Sequence, residues 1–158
     1  MYIQILLIQL MERKGRNTDF VKLAHKSVID LMVTGNWLQD KLAEVLKPHK
    51  LSNAQFNVLR ILRGQKGKPA SLSCVSDKMI HKMSNTTRLV DKLLEKGLVD
   101  RIICPENRRK VEITITAEGL KLLEELDGVL EKAEANLMSN LEKNEIEQLE
   151  FLLKKLKE

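Results

Sequence analysis

At 158 residues the chain can form one domain with a substantial core, or a small domain with a helical appendage. Only 3% of residues are aromatic, and the two cysteines, Cys74 and Cys104, lie 30 positions apart with no Cys-x-x-Cys pair. The core must therefore be aliphatic, a disulfide framework and a thiolate metal cluster are excluded, and a reducing, cytoplasmic location is expected. The net charge of +5 is unevenly spread: residues 1–77 hold 12 Lys and Arg against 6 Asp and Glu, residues 78–110 hold 9 against 4, and residues 111–158 hold 6 against 12. Such a distribution suits a surface facing a polyanion, set apart from a solvated helical end.

The opening run "MYIQILLIQLM" is too short to span a bilayer. It has no basic region before it and no small-residue cleavage site after it. Residues 1–16 are therefore read as an arm that packs on another surface, such as a second subunit, with no membrane role. Residues 17–47 carry a helical apolar pattern from Phe20 to Leu46, with Gly35 as a candidate bend. Pro48 ends it, because proline cannot donate the next hydrogen bond. In "LSNAQFNVLRILRGQKGKP" Ser52 and Gln55 have capping-box spacing, and Phe56, Leu59 and Leu62 follow on one helical face.

Ser71 opens a short helix in "SLSCVSDKMIHKM", where Cys74 reads as buried and inert. Ser84 is placed as the cap of "SNTTRLVDKLLEKG", and Gly97 closes that helix. "LVDRII" and the alternating "VEITIT" read as two strands. Between them Pro105, Glu106 and Asn107 make a turn, and Arg108, Arg109 and Lys110 crowd its tip. Thr116 caps a long helix over 117–139, and a final helix spans about 143–157.

The middle of this order is a helix-turn-helix followed by a hairpin. The predicted fold is mainly α with a small β-hairpin wing: a winged helix-turn-helix domain over 48–116 within a helical frame. At ~100° per residue, Thr86, Leu89, Val90, Leu93 and Gly97 fall on one side of the helix after Ser84. Ser84, Asn85, Thr87, Arg88, Asp91, Lys92 and Glu95 fall on the other. Small polar residues followed by an arginine suit a recognition helix in the major groove. Ser84 and Thr87 let the helix sit deep, Asn85 can pair with adenine, and Arg88 can meet guanine or a phosphate. A charged wing beside that helix falls over the minor groove, whose negative potential favours an inserted arginine. Singly, these are an ordinary capped amphipathic helix and a solvated turn. Together they make double-stranded DNA the expected partner.

Three segments carry a family resemblance: "LSNAQFNVLRIL", "SNTTRLVDKLLEKGLV" and "PENRRKVEITITAEG". With them the chain resembles the MarR family of transcriptional regulators, in detail from about Leu51 to Leu123 and in helix order over nearly its whole length. The family wing carries Asp-x-Arg, matched here by Asn107, Arg108 and Arg109. An amide at 107 can still brace the arginine, but it gives up the charge-assisted part of that bond. The resemblance implies that Arg109 enters the minor groove while Arg108 and Lys110 hold phosphates; Lys82 is a further candidate phosphate contact.

The resemblance also implies a homodimer. The helical regions 17–47 and 117–158 would form its interface, and two recognition helices would sit about one DNA turn apart on a near-palindrome. Many members release DNA when a small aromatic or anionic effector binds. His25, Met32, Trp37, His49 and Phe56 are the candidate lining here, with core packing the plainer account. Cys104, near Arg101, Arg108 and Arg109, is a candidate oxidisable thiol, although a strand cysteine is usually a small hydrophobe. His25, His49 and His81 are isolated, so no metal or cofactor is expected.

The sequence has no Gly-rich phosphate loop, nucleophile elbow or metal-ligand cluster, so an enzyme is not expected. The reading is a cytoplasmic, dimeric, sequence-specific DNA-binding repressor. Its rival is a winged helix used for protein contacts or for non-specific architectural DNA binding, which salt dependence separates.

Overall fold

The computed structural model of the chain describes residues 18–81, 85–103 and 111–158. In chain order these form α1 (Thr18–Leu46), a 3-10 turn (Lys47–His49), α2 (Asn53–Gly64), β1 (Ala70–Ser71), α3 (Leu72–Lys78), α4 (Thr86–Glu95), β2 (Val99–Ile103), β3 (Val111–Ile115), α5 (Ala117–Leu137) and α6 (Lys143–Lys155). The chain divides into two compact units, Met1–Asp40 and Lys41–Glu158. Described residues of the first unit belong to α1, where Phe20, Leu23, Val28, Met32, Val33 and Trp37 are exposed.

The second unit holds the core. Helix α2 is its axis, burying Gln55, Val58, Leu59 and Leu62 at the spacing of one helical face. Around it lie Leu46, Val75, Met79, Val90, Leu93, Val99, Ile113, Leu123 and Leu126, an aliphatic cluster as the scarcity of aromatics requires. The sheet is antiparallel in the order β1-β3-β2, with Arg101 opposite Ile113 and Val99 opposite Ile115.

Local chemistry sets the helix starts. Ser52 Oγ accepts from the Gln55 N–H at 3.2 Å and Gln55 Oε1 accepts from the Ser52 N–H at 3.1 Å, so two otherwise orphaned donors are satisfied reciprocally. Ser71 caps α3 through the Cys74 N–H at 3.2 Å. Thr116 Oγ1 accepts from the Gly119 N–H at 3.0 Å and donates to the Gly97 carbonyl at 2.8 Å. A Cβ on residue 119 would lie 2.3 Å from the Leu98 carbonyl oxygen and 2.8 Å from Ile115 Cγ1. Thr-x-x-Gly is thus the point where α5 docks on the junction of α4 and β2.

Several expectations shift. Strand β1 is additional: two residues are too few to show an alternating pattern, and it exists by pairing Ala70 with Ile113. Helix α3 stops at Lys78 rather than running on toward Met83. Met79 turns to extended backbone and enters the core, and the Ile80 N–H donates to Asn57 Oδ1 at 3.0 Å. Helix α5 ends at Leu137, two residues early, and Gly35 lies inside an unbroken α1. The proposed arm, residues 1–16, lies outside the described residues.

Candidate nucleic-acid interface

Helix α4 separates its residues by environment. Thr86, Val90 and Leu93 are buried, whereas Asn85, Thr87, Arg88, Lys92 and Glu95 are exposed. This follows the division drawn from the sequence, except that Gly97 is exposed and Leu89 and Asp91 are both half-buried, and it leaves small polar residues and two cations on the free side.

The start of the helix differs by one residue. Asn85 is its cap: Asn85 Oδ1 accepts from the Arg88 N–H at 3.1 Å. Ser84, placed as the cap from sequence, lies outside the described residues. Both types cap well, so composition alone does not choose between them. A bidentate pair with adenine would use the same Asn85 oxygen through its second lone pair, so the cap sets the orientation in which that pair can form.

The far end of α4 is held by several contacts. Gly97 has φ +67°, a left-handed conformation open to glycine at little cost. The Gly97 N–H reaches Leu94 O at 2.9 Å and the Leu98 N–H reaches Leu93 O at 3.0 Å, a Schellman closure. Lys96 Nζ donates to the Lys50 carbonyl oxygen and lies 3.4 Å from Gln55 Oε1. On the flank Arg101 Nη2 meets Asp91 Oδ1 at 2.6 Å, joining β2 to α4. Sequence reasoning missed Asp91, Lys96 and Arg101 as positioning groups. Their partners are 10 to 46 positions away, beyond the reach of any local pattern.

Strands β2 and β3 pair from Val99↔Ile115 to Ile103↔Val111, which establishes the hairpin read from sequence. Its tip, with Cys104, Asn107, Arg108, Arg109 and Lys110, lies outside the described residues, as does Lys82. Cys74 is half-buried rather than buried, and it lines an open groove of about 660 Å³ with Ser71, Ser73, Val111 and Glu112.

The candidate effector residues divide between the two units. His25, Met32 and Trp37 lie on α1 in the first unit, Met32 and Trp37 being exposed. His49 lies in the 3-10 turn, and Phe56 lies on α2 packed against the core, both in the second unit. The Arg60 guanidinium sits 5.8 Å from the centre of the Phe56 ring, within cation–π range.

Residues 51–111 match the model of the MarR family. The HTH-type transcriptional regulator PapX of Escherichia coli is 29% identical over 119 residues, which cover 75% of this chain and 73% of PapX. The MarR transcription factor structure from Planctomyces limnophilus is 30% identical with a TM-score of 0.67, over 82% of this chain and 94% of that one. A MarR mutant from E. coli, crystallised with operator DNA, is 28% identical with a TM-score of 0.72, over 82% of this chain and 93% of that one. No described helix is long and apolar enough to cross a membrane. The winged arrangement, the polar face of α4 and these likenesses agree: the chain is not an enzyme and belongs to the MarR family of winged helix-turn-helix transcriptional regulators.

Proposed function

We propose that the chain is a sequence-specific DNA-binding regulator that acts as a homodimer on a near-palindromic operator and represses transcription by occupying it. The observation that carries this reading is the row Asn85, Thr87, Arg88 and Lys92, exposed on a helix whose opposite side is locked into the core. A helix so anchored can enter a major groove without rearranging the domain. The operator-bound MarR structure supports extending the fold to this use.

In this reading Thr87 and Arg88 face base edges, and Asn85 holds the helix start while offering its amide N–H groups. Ser84 lets the helix sit deep. Arg109 enters the minor groove with Asn107 as its brace, and Lys82, Arg108 and Lys110 hold phosphates. The dimer draws support from the exposed apolar residues of α1, from Phe151 and Leu152 on α6 and from Leu156 at its end, since large free apolar patches mark interfaces. A small aromatic or anionic effector that releases DNA would use Met32 and Trp37, with His25 as a further contact on the same helix. The site of action is cytoplasmic.

Selection of bound duplexes from a random pool at two salt concentrations tests the reading. Enrichment of a near-palindrome supports a dimeric, sequence-specific regulator. Binding that only fades with salt, with no enriched sequence, indicates an architectural binder. No binding at either salt favours protein contacts.

A further inference from the structure

The corner between α1 and α2 is built under strain. Lys50 has φ +54°, a left-handed conformation unusual for a residue with a side chain. Its N–H closes on Lys47 O at 2.9 Å, and the Leu51 N–H closes on Leu46 O at 3.3 Å. This is the Schellman pattern that glycine makes easily, here imposed on a lysine. Such a conformation persists only where the surroundings over-determine it. The surroundings supply Lys96: its ammonium donates to the carbonyl oxygen of the strained Lys50 and approaches Gln55 Oε1, already engaged by the Ser52 N–H. Gln55 is 5% exposed, so one end of this network is buried.

Lys96 is also the C-cap of α4, where a cation is favoured by the helix dipole. One side chain therefore joins the end of the candidate recognition helix to the corner that starts α2. A charge-assisted bond at that place is about twice as strong as a neutral one.

We propose that Lys96 is a positioning residue for DNA reading. It fixes the direction of α4 by tying the helix end to the α1–α2 corner, so displacement of the corner changes how Thr87 and Arg88 meet the groove. The inference rests on the DNA-binding reading, yet its mechanical half stands apart from it. Lys96 lies ten residues or more C-terminal to Asn85 and Thr86, away from the end of α4 that would enter the groove, so its own ammonium is not a phosphate ligand.

The test uses the full chain with Lys96→Met, which keeps length without charge, and Lys96→Arg, which restores donors. Hydrogen exchange without DNA comes first. Lys96→Met should exchange the Lys50 and Leu51 amides about tenfold faster, in proportion to one lost bond to a charged group, and Lys96→Arg should return them toward wild type. Unchanged exchange overturns the tie, whatever the protein does with DNA.

Binding to the selected operator and to scrambled duplex comes second, across a salt series. Lys96→Met should reduce the operator-to-scrambled affinity ratio by about tenfold with the salt slope unchanged, and Lys96→Arg should restore the ratio. A slope lower by about one, with the ratio intact, would make Lys96 an ordinary phosphate contact and overturn the proposal. A lower melting temperature with both ratio and slope intact would make the tie merely structural and also overturn it. If wild type has no sequence preference, it is the DNA-reading function that fails, and the exchange result still decides the tie.

Discussion

Arg63 and Asp127 face each other as a two-pronged pair, Nη1 to Oδ2 at 2.6 Å and Nη2 to Oδ1 at 3.1 Å, joining the end of α2 to the middle of α5. The hydrogen bond from Arg63 holds the Asp127 carboxyl below the usual aspartate range, against a smaller opposing effect of desolvation. A depressed folded value means the pair stabilises the fold above the usual aspartate pKa and loses that contribution as pH falls through the depressed value. The side chains are 33% and 43% exposed, so solvent screens the pair to about 0.5–1 kcal/mol. Asp127→Asn should therefore lower neutral-pH stability by that amount, and the gap to wild type should close in acid. Denaturant titrations of both proteins from neutral pH downward check this; a gap that widens in acid would contradict the sign.

Two glycines on α5 should respond in opposite directions to alanine. At Gly119 the new methyl group would collide with the Leu98 carbonyl and Ile115, and relief requires moving α5 off the α4–β2 junction. Forced overpacking costs about 1–3 kcal/mol. At Gly128 nothing lies within 4 Å, and an alanine in a helix interior gains about 0.5–1 kcal/mol. Thermal melts of Gly119→Ala and Gly128→Ala should move apart around wild type.

Arg88→Ala should flatten discrimination between operator and scrambled duplex, by about 1–3 kcal/mol if one bidentate base contact is lost. Asn85→Ser keeps a capping oxygen and should change stability by only a few tenths of a kcal/mol. Because serine keeps the capping oxygen but lacks the amide N–H groups that Asn85 offers, this variant should also weaken preference for the operator over scrambled duplex. Competition binding with the two duplexes reads this; an unchanged preference in Asn85→Ser would leave Asn85 as a helix cap alone.

At the wing, Arg109→Ala should weaken operator binding more than Lys110→Ala, since a narrow minor groove rewards the inserted arginine beyond simple charge. Equal losses in a binding titration would reduce both to phosphate contacts.

Phe151 and Leu152 are 61% and 51% exposed on α6. In a homodimer through this helix, Phe151→Glu and Leu152→Glu would bury a charge without a partner, which is strongly unfavourable. Sedimentation should show a shift to monomer at micromolar concentration, with loss of operator affinity. A persistent dimer would place the interface elsewhere.

The legible parts of the molecule were those governed by nearest neighbours along the chain. Ser52 with Gln55, Thr116 with Gly119, the polar side of α4 and the closing Gly97 each announce themselves within four residues or one helical face. What sequence did not reveal depends on partners far along the chain. Strand β1 has only two residues and takes its identity from Ile113. Helix α3 stops where Met79 finds the core and Asn57 takes the next N–H. Asn85 rather than Ser84 caps α4, a choice between two equally suitable neighbours. The ties from Asp91 to Arg101 and from Lys96 to Lys50 join separate elements and have no spacing rule. Asn85 was legible as a surface residue at the start of α4 but not as the one whose oxygen caps it, although its partner, the Arg88 N–H, is only three residues away.

The bond between Asp91 and Arg101 has a consequence for what counts as a good operator. It fastens the helix meant for one groove to the strand that leads to the next, at 2.6 Å on a half-exposed surface. In the proposed reading the two probes would share one mount, so the protein would gauge the offset between neighbouring grooves. A duplex with every correct base but the wrong local twist would fit one probe and miss the other. Positions that no side chain touches would then enter the recognition code through the stiffness of the DNA between the contacts.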